Sequence, residues 1–146
     1  KISSNITISC VDSIKARHEI NNALKNDRRF QADSERAFYW IDCGNGEDYG
    51  QVVIGTERTI QQPDSGLDTT SELKSPVNYF KGLKDKKSDG PSCSLAEALE
   101  KQDLFVNKFV AVYAAQLLWR MLREGKISYQ GIYFNLCTNL INQINI

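Results

Sequence analysis

Asp12, Arg17, His18 and Cys93 are the residues whose types and neighbours could do chemistry. Asp12 closes "ITISCVD", where Ile6, Ile8 and Cys10 alternate with polar residues as on a strand; "SIKARHEINNALKN" follows with Ile14, Ile20 and Leu24 at helical spacing. A carboxylate at such a strand-to-helix turn lies at the carboxyl edge of an open α/β sheet, where ligands collect. There it can hold Mg²⁺ beside a nucleotide phosphate. The same position suits a helix N-cap, supplied by Asp12 itself or by Ser13. Arg17 falls near the same edge, either as a charge partner for a phosphate or as an ordinary surface arginine. His18 is the only histidine, which excludes a multi-histidine metal site. Its position between Arg17 and Glu19 reads as a solvated helix face.

Cys93 lies in "GPSCSLAE", where Ser94 and Glu97 form an S-x-x-E capping box. With Ser94 as N-cap, Cys93 sits at the positive end of a helix, where orphan N–H groups and the dipole favour a thiolate. Cysteines so placed are activated as nucleophiles. The alternative is a turn cysteine with no chemistry. Cys10, Cys43 and Cys137 lie in strand-like apolar segments and are expected to be small buried hydrophobes. No C-x-x-C pair occurs, so no zinc site is expected, and unpaired thiols point to a reducing, cytoplasmic compartment.

The elements that must position these residues follow from pattern. "RAFYWIDC" and "GQVVIGT" read as strands joined by the turn-forming "GNGEDY". From Glu57 to Pro91 the periodicity fades and all three prolines occur, which predicts a long loop. "SLAEALEKQDLFVNKFVAVYAAQLLWRMLREG" predicts a helix that stops at Gly125. A break is expected near Asp103 to Asn107, and deep burial of its second half, which is apolar nearly all round. "GIYFNLCTNLINQINI" gives a last strand and a second short strand or tail. The expectation is one α/β domain over residues 1–146 with packed helices on a mixed sheet: a parallel first crossover and an antiparallel pair at "GNG".

Eighteen basic residues balance eighteen acidic ones, which favours neither nucleic acid nor an anionic membrane as partner. The longest apolar run, Phe109 to Trp119, falls short of the ~20 residues that span a bilayer. The chain lacks an initiator Met and opens directly on a strand pattern, so a piece of a longer protein is expected.

Taken in order, "CVDSIKAR", "YWIDCGNGEDYGQVVIG" and "PSCSLAEALEKQDLFVNKFVAVYAAQLLWRMLREGKISYQGIYFNL" resemble the C-terminal half of a ThiF-type protein. That superfamily contains the ubiquitin-activating enzymes and the bacterial adenylating enzymes for sulfur-carrier proteins. The likeness is strongest to the ThiF family of the PRTRC plasmid-type system. It implies the C-terminal half of a Rossmann-like adenylating-enzyme fold, a homodimeric parent, and ATP and Mg²⁺ as cofactors of that parent. The partner implied is a ubiquitin-like or sulfur-carrier protein whose C-terminal carboxylate is adenylated. By motif, Asp12 resembles the aspartate that helps bind Mg²⁺ and ATP, and Arg17 the arginine that follows it. Cys93 resembles the crossover-loop cysteine that in several members accepts the activated carrier. Residues 57–92 then become the crossover loop under which the carrier tail passes. The family's glycine-rich phosphate loop and the arginine and lysine of its ATP site have no counterpart in the sequence. The chain alone is therefore expected neither to hold the cofactors nor to adenylate. A contrasting expectation is a non-catalytic module that docks a ubiquitin-like partner or a second copy of itself.

Overall fold

The computed structural model describes residues 4–26, 36–80 and 103–146. The elements are β1 (Ile6–Ser9), α1 (Ile14–Asn26), β2 (Tyr39–Asn45), β3 (Tyr49–Thr56), a 3₁₀ helix (Pro76–Phe80), α2 (Val106–Glu124), β4 (Gly131–Asn135) and β5 (Leu140–Ile144). The five strands form one mixed sheet in the order β1-β2-β3-β4-β5, so the fold is α/β. β1 and β2 are parallel, with Ile6 opposite Tyr39 and Ser9 opposite Asp42; a crossover through a helix is what parallel neighbours require. β3 pairs antiparallel with β4, and β4 with β5. The short link 46–48 between the neighbours β2 and β3 leaves no room for a crossover, so the chain turns back antiparallel as the sequence predicts; Gly44 and Asn45 of "GNG" still belong to β2, and the turn is Gly46, Glu47 and Asp48.

Chain contacts divide into two compact units, Lys1–Asp42 with Ile54–Leu83, and Cys43–Val53 with Lys84–Ile146. In the first, Leu24, Ala37, Trp40 and Val77 form a buried cluster with Ile20 against it. α1 turns Arg17, Ile20, Asn21 and Leu24 inward, one face at helical spacing on which two residues are polar.

In the second unit α2 buries Val106, Val110, Ala114 and Leu117. The Phe109 ring packs 4.6 Å from that of Phe134, centroid to centroid. Gly125 ends the helix in the left-handed region at φ 66°, its N–H donating to the Met121 carbonyl, the expected glycine stop. The expectation of all-round burial is corrected: Val112, Trp119 and Leu122 are exposed. The buried residues form a single stripe, and the apolar residues on the other side of α2 lie outside it.

The thiol expectation is corrected at two positions. Cys43, inside β2, is buried, whereas Cys10 and Cys137 are exposed. Both lie just outside strands, Cys10 after β1 and Cys137 in the β4–β5 turn, where strand alternation no longer directs a side chain inward. The predicted loop from Glu57 contains the 3₁₀ helix Pro76–Phe80. The Ser94–Glu97 capping box and the predicted helix as far as residue 102 lie outside the described residues; its remainder is α2, which begins at Val106, within the predicted break. Among the described residues no helix is long and apolar enough to cross a membrane.

Candidate functional site at the carboxyl end of β1

The parallel pair sets the geometry. Ser9, the last residue of β1, lies opposite Asp42, and the chain then turns through 10–13 into α1. The Ala16 N–H donates to Ser13 Oγ at 3.1 Å, the bond by which an N-cap side chain satisfies an orphan donor of the first turn. Of the two capping residues the sequence allows, the structure uses Ser13. Asp12, one position earlier, is exposed just past the carboxyl end of β1. His18 is exposed, as its helix face predicts.

Beneath this turn lies a buried polar network. Arg17 is 4% exposed and Asp42 fully buried. The Arg17 Nε donates to Asp42 Oδ2 at 2.8 Å, and Ser9 Oγ donates to Asp42 Oδ1 at 2.7 Å. The Trp40 indole N–H in turn donates to Ser9 Oγ at 2.8 Å. The Arg17 guanidinium also stacks over the Phe80 ring, 4.7 Å from its centroid, within cation–π range. Burial pushes the Asp42 carboxyl above its ordinary value, against the Arg17 charge and the hydrogen bonds from Arg17 and Ser9. The sequence offered Arg17 as a phosphate partner or a surface arginine; the structure seats it in the interior, tying α1 to β2.

Asp12 and Arg17 thus occupy the first turn of the same helix region in different roles. Asp12 presents a carboxylate to solvent, and Arg17 anchors the helix that follows it. Among the described residues no group of three or more His, Cys, Asp or Glu side chains could hold a metal ion. A lone exposed carboxylate fits Mg²⁺ in the manner that ion is held beside nucleotides, with substrate phosphates and water completing its shell. Cys93 lies outside the described residues.

Three residues with a structural or electrostatic role escaped the sequence reading. Asp42 is the one charge in the apolar run "YWIDC", and a charge at a central strand position is the signature of a buried pair. Ser9 carried no signal beyond strand alternation. Glu57 reads as the first loop residue, yet it is only 9% exposed. Among the described residues neither of its carboxyl oxygens has a hydrogen-bond partner. Burial pushes its carboxyl up to about 7, against the attraction of Lys25 and Arg58.

No protein-family model matches the chain, and no curated protein matches it.

Proposed function

We propose that the chain is the C-terminal half of a ThiF-type adenylating enzyme, which activates the C-terminal carboxylate of a ubiquitin-like or sulfur-carrier protein with ATP and Mg²⁺. The observation that carries this reading is the exposed Asp12 carboxylate immediately past the end of β1, in a parallel strand–helix–strand unit whose N-cap is supplied by Ser13 instead. Position at the carboxyl end of a parallel strand is where α/β folds collect nucleotides, and relief from capping leaves the carboxylate available. Mg²⁺ would supply charge neutralisation at the phosphates. Asp12 would hold it, and Arg17 acts as a positioning residue through its bond to Asp42. In adenylation a carboxylate oxygen of the carrier attacks the α-phosphorus of ATP and pyrophosphate leaves, so that the carbonyl then carries AMP as a good leaving group. The Cys93 thiolate is the proposed acceptor, attacking the activated carbonyl as AMP departs. The full-length parent, given ATP and its carrier, should form a conjugate cleaved by added thiol, and Cys93→Ala should abolish it. Persistence of the conjugate in that variant removes Cys93 from the mechanism.

A second reading, a docking module for a ubiquitin-like partner or a second copy, draws on β5. Its Leu140 and Ile141 are 56% and 51% exposed, and β5 borders no further strand among the described residues. Such an edge is a template for strand addition. A chain that stays monomeric and binds no carrier in titration would overturn this reading.

A further inference from the structure

A cavity of about 450 Å³ opens in the first unit, walled by Lys25 from the last turn of α1, by Thr56 at the end of β3 with Glu57 and Arg58 after it, and by residues 72–75 with Asn78. Its wall is held in place by the chain itself. The Thr56 hydroxyl accepts the Leu73 N–H at 2.9 Å, the Ile60 N–H donates to the Ser71 carbonyl at 2.8 Å, and Ser75 Oγ donates to Asn21 at 2.9 Å. The volume falls within the range of small-molecule sites, roughly 300–1,000 Å³.

The charges around it are unequal. Lys25, Arg58 and Lys74 line the cavity, against the acids Glu72 and Glu57. Glu72 accepts the Thr59 hydroxyl at the base of the loop. Glu57 is nine-tenths buried, and both of its carboxyl oxygens lack a partner among the described residues. A buried polar group without a partner is destabilising unless something supplies one. A neutral Glu57 carries a proton with no acceptor on the described protein, beside an excess of positive charge. A cation would be repelled by that excess; an anion with several oxygens would meet the lysines and the arginine and offer Glu57 its acceptor.

We propose that this cavity binds a tetrahedral oxyanion, a phosphate or sulfate group carried on a small organic molecule, held by Lys25, Arg58 and Lys74 beside the Glu57 carboxyl. This site is separate from Asp12 and does not depend on the adenylation reading. The charged groups acting on Glu57 are Lys25 from α1 and its neighbour Arg58, and Glu72 and Lys74 line the same cavity. Ionisation of Glu57 adds a negative charge to the wall, so binding weakens as pH rises. With its carboxyl at about 7, a ligand that needs the neutral form binds about tenfold more weakly at about pH 8 than at about pH 6.

The test is calorimetric titration of the full chain with sulfate, whose charge is constant over that range, whereas a phosphate ester gains charge near pH 6. The expected result is saturable binding that weakens about tenfold over the two pH units. Lys25→Gln and Lys74→Gln, both at exposed side chains, should each weaken it severalfold without loss of fold. Glu57→Gln should retain binding and flatten the pH profile. A sugar phosphate should bind more tightly than inorganic phosphate at one pH. The proposal is overturned if the folded chain binds none of these probes at millimolar concentration, or if the double lysine variant binds sulfate unchanged. Tighter binding of inorganic phosphate than of the ester overturns the organic carrier, and a sloping profile in Glu57→Gln overturns the role of Glu57.

Discussion

The Arg17 Nε lies 2.8 Å from Asp42 Oδ2, and the side chains are 5% and 0% exposed. An ion pair taken this far from water is held by mutual dependence: each charge is tolerable because the other is present. The pair fastens the first turns of α1 to the parallel strand beside β1, and so fixes the turn that carries Asp12.

Removing one partner should therefore be more damaging than removing both. Arg17→Met strands a buried carboxylate and is expected to destabilise the protein by about 3–5 kcal/mol. Arg17→Met combined with Asp42→Leu should recover most of that loss, because an apolar pair needs no compensation. Urea denaturation of the two variants measures the difference, and equal losses would contradict the dependence.

The two candidate caps of α1 are separable by stability alone. Ser13→Ala removes the acceptor of the Ala16 N–H and should lose about 1 kcal/mol. Asp12→Ala, at an exposed position that does not make this bond, should stay within about 0.5 kcal/mol of the parent chain. Thermal unfolding of both variants checks the pair; a larger loss in Asp12→Ala would return Asp12 to a capping role.

Glu57 sets a direction for the pH dependence of stability. Its carboxyl rises from an ordinary 4.5 to about 7 in the folded chain, so between those values the native state binds more protons than the unfolded one. Stability from this group is complete below about pH 4.5 and is lost as pH rises through 7. Glu57→Gln should match the wild type near pH 4.5 and be more stable at pH 8, by up to about 3 kcal/mol. Denaturation curves of both proteins across that range read the effect, and a constant gap between them would refute it.

Gly131 opens β4 against β3. A Cβ there would meet the Val52 carbonyl oxygen and lie 2.9 Å from the Val53 Cα. Both are backbone, which cannot swing aside as a side chain can. Gly131→Ala should cost about 1–3 kcal/mol through displacement of the strand pair, measured as a fall in the denaturation midpoint. An unchanged midpoint would mean that the strands part without penalty.

Much of this framework was legible because it rests on local pattern. Alternation in "ITIS", the apolar runs "YWIDC" and "QVVIGT", and Gly125 after a helical period each state their element directly. The mixed sheet followed from a helix between β1 and β2 and a tight turn between β2 and β3. Asp12 was legible as a carboxylate at a strand end, but Ser13 and Asp12 are equally good caps on paper, and the choice between them is made by backbone geometry. Arg17 was legible only as a charge. Its burial depends on Asp42, twenty-five residues away in sequence, and pattern within one helix cannot reveal a partner on a strand. Glu57 was hidden for the same reason: residues 72–75 and α1 close over it from distant parts of the chain. The exposed side of α2 was missed because apolar composition shows that a helix can be buried and not how much of it has something to pack against.

The adenylation account is tested most directly by ATP–pyrophosphate exchange in the full-length parent with candidate ubiquitin-like and sulfur-carrier proteins. The account predicts label entering ATP only when a carrier with a free C-terminal carboxylate is present, and a fall of at least about tenfold in Asp12→Asn, equivalent to about 1.4 kcal/mol of transition-state stabilisation. Absence of exchange with every carrier in a folded parent, or full exchange in the Asp12→Asn variant, would contradict it.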